Sequence, residues 1–136
     1  MEDRVLVDHR TYRLKPGSVP AYLDLYQKNG MAAQKRHLGQ PLAYLFSETG
    51  ELNTLVHLWA YEDAADRARK RADMFADPEW QTYMRLNAEA GHLLEQRTCL
   101  MIPAPFAPIS CTCAPEIAAP LSSRTSPSTM AAPVWE

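Results

Sequence analysis

At 136 residues, with 14 basic against 16 acidic side chains and a formal charge of -2, the chain has room for one domain with a real core. It lacks the positive field that drives sequence-independent nucleic-acid binding, and no uninterrupted apolar run reaches bilayer length; the start, MEDRVLVDHR, has neither the apolar stretch of a signal peptide nor the acid-poor character of a transit peptide, so a cytoplasmic protein with no membrane span is expected. Cys99, Cys111 and Cys113 cannot all pair within the chain, and the C-x-C of the last two offers too few ligands for a tetrahedral zinc site, so neither a disulfide framework nor a metal is expected.

From Arg4 to Leu14 the residues alternate Val5, Val7, His9 and Thr11 against Leu6, Asp8, Arg10 and Tyr12, which predicts a strand with polar groups on both faces. Pro16-Gly17 breaks it. Ser18 is a natural N-cap, and Val19, Tyr22, Leu23 and Tyr26 recur at helical spacing. Asn29-Gly30 interrupts this helix, and MAAQKRHL resumes it as far as Gly39. The runs 42–47 and 52–61, joined by Thr49-Gly50-Glu51, predict an antiparallel hairpin. In its second strand Leu55, His57, Trp59 and Tyr61 share one face and Val56, Leu58 and Ala60 the other. Both are apolar enough for a central strand.

Asp63 is placed to cap a helix whose buried stripe is predicted as Ala65, Ala68, Ala72 and Phe75. Asp77-Pro78-Glu79 marks a second start, after which Trp80, Tyr83, Met84 and Asn87 line one face, with Leu94 near the end. The run 97–102 has the length of a last strand. The order βαββαβ is that of an α+β, ferredoxin-like fold with a four-stranded antiparallel sheet. Beyond Ile102 the chain is rich in Pro, Ala, Ser and Thr and nearly uncharged. A domain over 1–109 followed by a disordered tail over 110–136 is therefore expected.

The segments HRTYRLKPGSVPAYLDLY, QKRHLGQPLAYLFSETGELNTLVHLWAYEDAADRARKRADMFADPEWQTY and LMIPAPFAPI resemble the NIPSNAP family, in its short single-domain bacterial type. The resemblance implies the dimeric α+β barrel group, whose members include cofactor-free oxygenases and isomerases. It brings no catalytic residue set that can be carried over.

A four-stranded sheet with its helices on one side leaves the other face bare, which points to a homodimer through that face and a small-molecule cavity between sheet and helices. His57 is the first catalytic candidate, an imidazole for acid or base work flanked by Trp59 and Tyr61; the competing reading is a hydrogen-bonded core or interface histidine. His9 is a second catalytic candidate in the first strand. Beside it, Arg10 could grip a carboxylate, or pair with a buried acid such as Glu48, and Tyr12 joins it as a binding candidate. Tyr22, Tyr26, Tyr44 and Trp80 complete the candidate aromatic wall, against which ordinary packing is the competing reading.

Arg67 and Arg71 lie one helical turn apart and could clamp an anion. However, Asp63 to Arg67 and Asp66 to Lys70 have the acid-before-base spacing of solvated pairs, which predicts an exposed face instead. Arg36 and His37 are read as complementing the negative end of their own helix. The chain contains no G-x-G-x-x-G, P-loop, H-E-x-x-H or G-x-S-x-G, so no cofactor is expected. The functional reading is a homodimeric small-molecule-binding protein, extending to a cofactor-independent enzyme acting on an aromatic or polyketide-like substrate. The alternative is a non-catalytic protein-interaction module working through its dimer surface or proline-rich tail.

Overall fold

The alternation along residues 54–61 sets the sheet. In the computed structural model, which describes residues 5–111, eight elements follow in order: β1 (Leu6–Leu14), α1 (Val19–Asn29), α2 (Met31–Leu38), β2 (Ala43–Phe46), β3 (Thr54–Tyr61), α3 (Ala64–Ala76), α4 (Pro78–Ala90) and β4 (Leu93–Met101). The four strands form one antiparallel sheet in the order β2-β3-β1-β4, so β3 is central. This is the ferredoxin-like arrangement with each helical segment split in two, βααββααβ. The tail from residue 112 onward, with Cys113, lies outside the described residues.

Cross-strand partners share a face. The register therefore places Tyr44, His57, Arg10 and Thr98 in one row across all four strands, and Asp8 beside Trp59 in the next. The four helices are packed over this face. Two aromatic-rich clusters fill the space between, one around Tyr26, Trp59, Tyr61, Met74, Trp80 and Tyr83, the other around Tyr12, Leu14, Tyr22 and Leu55. On the opposite face Val56, Leu58 and Ala60 are only partly buried, and Leu45 is 56% exposed.

Local chemistry explains where the helices start. Asp63 caps α3 by accepting from the Asp66 amide at 2.7 Å, and Asp77 caps α4 by accepting from the Glu79 amide at 2.9 Å. Ser18 precedes α1 without capping it; its hydroxyl donates instead to the Lys15 carbonyl at 2.6 Å. Gly91, in the left-handed region at φ 67°, ends α4. Leu94 consequently belongs to β4, which begins earlier than the apolar run predicts; it sits at a register shift opposite Arg13 and Leu14.

Two expectations about helix faces are corrected. Ala65, Ala68, Ala72 and Phe75 are exposed, and α3 instead turns Asp66 and Met74 inward with Arg67, Lys70 and Arg71 partly buried. The cause lies on β1. Asp8 is fully buried, and its carboxylate accepts from Arg10 Nη1 and Arg67 Nε at 3.2 Å each and from the Thr98 hydroxyl. Burial alone would raise its pKa, but the Thr98 hydroxyl and the two guanidiniums hold it below the ordinary value. A buried anion needs this compensation, and it draws the basic side of α3 toward the sheet. Arg10 thus pairs with Asp8 rather than Glu48. Arg36 and His37 likewise leave their own helix end and reach Asp77, at 2.6 and 2.8 Å, with Arg36 also reaching Glu79 at 2.8 Å.

Candidate functional site

His57 stands in the middle of the helix-covered face, 2% exposed, at the base of a cavity of about 440 Å3 between the sheet and the helices. Neighbouring rings fix its plane. Tyr44 stacks on it at 4.6 Å between centroids, and Tyr12 meets it edge-on at 4.7 Å. Behind it, the Trp59 indole donates to Nδ1 at 2.6 Å.

That last contact sets the protonation of the ring. An indole nitrogen can only donate, so Nδ1 must accept, and the neutral imidazole then carries its hydrogen on Nε2. Burial, reinforced by the nearby Arg10 charge, pushes the pKa down to about 3, so the ring stays neutral through the physiological range. Nε2–H has no partner among the described residues. At neutral pH His57 therefore offers a buried, directed hydrogen bond rather than a proton sink.

The tyrosines form the walls. Tyr26 stacks on Tyr44 at 5.2 Å, meets Tyr83 edge-on at 5.9 Å, and donates its hydroxyl to Gln34 Oε1 at 2.5 Å. Burial pushes the hydroxyls of Tyr22, Tyr26, Tyr44 and Tyr83 above the ordinary phenol range, so they remain protonated. Trp80, 8% exposed, joins them from α4 with a buried indole N–H that has no partner among the described residues.

Of the residues singled out from the sequence, Arg10, Tyr12, Tyr22, Tyr26, Tyr44, His57 and Trp80 all line this one cavity. Trp59 and Tyr61 lie on the same sheet face but are buried away from the space itself. His9 is not brought to the others: on β1 it alternates with Asp8 and Arg10 and so faces the opposite side of the sheet. The cavity also takes in Arg71, Met74 and Asn87 from the helices, and Gln34. Arg71 was legible as half of an Arg67–Arg71 pair one turn apart, and Met74, three residues on, marks the face that turns inward. Among the described residues no cluster of His, Cys, Asp and Glu could hold a metal ion, and no helix is long and apolar enough to cross a membrane.

Comparison with known proteins places the chain. A NipSnap homolog of Dictyostelium discoideum is 38% identical over 71 residues, 52% of this chain and 31% of its own length. The chain spans about a third of the length of this protein and of the NipSnap homolog 3A of Homo sapiens, to which it is 32% identical over 81 residues. A NIPSNAP-like domain protein of Burkholderia xenovorans, known by crystal structure, is 36% identical and superposes with a TM-score of 0.74 over 79% of this chain and 92% of its own. The crystal structure of an antibiotic biosynthesis monooxygenase, 20% identical, superposes with a TM-score of 0.51 over 74% of this chain and 99% of its own, a likeness of fold alone. The NIPSNAP profile itself matches residues 7–108, and the chain belongs to the NIPSNAP family.

Proposed function

We propose that this chain is a homodimeric, cytoplasmic small-molecule-binding protein whose cavity receives a planar aromatic or polyketide-like ligand, on which it acts without a cofactor. The observation that carries this reading is the cavity itself. About 440 Å3 is the size of space that small-molecule sites occupy, and its tyrosine walls converge on one unsatisfied imidazole N–H. Stacked tyrosines favour a flat ligand, and a neutral donor aimed at a substrate oxygen is the electrophilic arrangement that stabilises developing negative charge. The fold shared with an antibiotic biosynthesis monooxygenase adds support at the level of architecture only. The half-covered outer face of β2 and β3 supports a dimer formed sheet to sheet, with residues 1–109 as the functional unit.

Native mass spectrometry with 2-naphthol as probe tests both halves of the proposal. A dimer binding one molecule per protomer is expected. Ala88→Trp, at an exposed cavity-lining position on α4, should abolish binding while preserving the dimer. A monomer overturns the dimer. Binding that survives Ala88→Trp, or none in the wild type, overturns the pocket.

A further inference from the structure

The cavity is asymmetric in its hydrogen bonding. Its lining contains two arginines, Arg10 and Arg71, and no aspartate or glutamate. The nearest compensating carboxylate, Asp8, is already shared between Arg10 and Arg67, so one negative charge faces two guanidiniums before Arg71 is counted. Arg71 has no carboxylate within 4.0 Å among the described residues, and its guanidinium lies over the Phe75 ring at 5.4 Å.

The unsatisfied buried groups point the same way. His57 Nε2 carries a hydrogen because Nδ1 is engaged by Trp59, and Trp80 Nε1 can only donate; both are more than nine-tenths buried, and neither has a partner among the described residues. Of the cavity's acceptors, Gln34 Oε1 is taken by Tyr26 and Asn87 Oδ1 stands alone. Leaving two buried N–H groups unpaired costs stability, and ligand acceptors that meet them recover it. A neutral ligand would satisfy the donors but leave the surplus cationic charge unanswered.

We infer that the cavity recognises a planar conjugated anion, its anionic head group held by Arg71 and its oxygens met by the N–H donors of His57 and Trp80, with its ring system against the stacked Tyr26 and Tyr44. This rests on the reading of the cavity as an aromatic-ligand site and specifies the head group. A carboxylate and an enolate or phenolate share this chemistry, since each presents an oxygen with full or delocalised negative charge to charge-assisted donors. His57 suits the role because, remaining neutral, it neither repels the arginines nor transfers its proton to the ligand.

The test is calorimetric titration of the full chain at pH 7.5 with 2-naphthoate and with its uncharged isostere 2-naphthamide. Naphthoate is expected to bind about tenfold or more tightly than the amide. Arg71→Met, which keeps the aliphatic stem, should weaken naphthoate about tenfold and the amide much less, closing the gap between them. Trp80→Phe should weaken both, the anion more. Equal binding of acid and amide, or naphthoate binding indifferent to Arg71→Met, overturns the anionic head group while leaving an aromatic pocket in place. Binding of neither probe overturns the pocket and the inference together.

Discussion

Trp59 Nε1–H donates to His57 Nδ1 across 2.6 Å, two residues along one face of β3. A donor-only group behind the imidazole fixes its tautomer, and the alternate spacing of a strand is what puts the two rings side by side. Phenylalanine at position 59 would keep most of the packing and remove the N–H, leaving a buried acceptor unpaired. Trp59→Phe is expected to cost about 1–3 kcal/mol in denaturant melts. In nitrogen NMR the wild-type His57 should show a pyrrole-like Nε2 and a pyridine-like Nδ1, and the variant an exchange between the two forms. A wild-type ring protonated on Nδ1 would refute the donor assignment.

The same ring makes stability depend on pH in a definite direction. His57 is held at about 3, against an ordinary 6.5, by burial first and then by the Arg10 charge; Asp8 opposes this, and Arg71 and His9 add to it. Between those values the unfolded chain takes up a proton that the native chain refuses, so stability is fully present above 6.5 and falls as the pH drops toward 3. The slope approaches about 1.4 kcal/mol per pH unit. Asp8, Asp66 and Asp77 sit below their ordinary 3.8 and lose their contribution only at lower pH, so urea midpoints taken between pH 7 and about 4.5 separate His57 from these carboxylates. His57→Gln should flatten the decline in that interval. Parallel declines for the variant and the wild type would contradict the assignment.

Asp8 joins β1 to β4 and α3 through one carboxylate. Removing it leaves the Arg10 and Arg67 guanidiniums facing each other over a fully buried position. Asp8→Ala should cost toward the lower end of the roughly 3–5 kcal/mol typical of a broken buried pair, because Arg67 still reaches solvent. Adding Arg67→Met should recover part of that loss, a coupling that a double-mutant cycle measures directly. Strict additivity would show that the two residues do not act as a pair.

The features legible in the sequence were those whose causes are local. Asp77-Pro78-Glu79 announces α4 because its cap, its proline and its first-turn acid all lie within three positions. β3 shows its faces because both are apolar and the alternation is unbroken from Leu55 to Tyr61. The inward face of α3 was hidden because its determinant, Asp8, lies on a strand far away in sequence; read alone, the helix has an alanine stripe and solvated ion pairs. One of those pairs, Asp66 to Lys70, does form at 3.0 Å, but Arg67 turns to Asp8 instead of Asp63. The start of β4 was obscured for another reason. An edge strand exposed on nearly every residue carries no alternation to read. The tyrosines and His57 could be named as candidates from the chain, but their convergence with Arg71 depends on the register of β1 against β3.

Gly30, between α1 and α2, packs against the ring of Tyr83. A Cβ there would lie 2.7 Å from Tyr83 Cγ and 2.8 Å from Cδ1, too close for the rigid base of a ring to yield cheaply. Its backbone, at φ -119° and ψ -31°, is open to any residue, so the need for glycine is steric rather than conformational. Gly30→Ala should therefore destabilise by about 1–3 kcal/mol, the range of an overpacked core. Because Tyr83 also lines the cavity, a ring pushed aside should alter aromatic-probe affinity as well as the melting temperature. Gly17→Ala separates the two kinds of glycine: at φ +78° with nothing within 4 Å of its Cβ, it should lose stability through backbone strain and leave probe binding unchanged. Probe affinity that responds equally to both substitutions would break the link between the α1–α2 junction and the cavity.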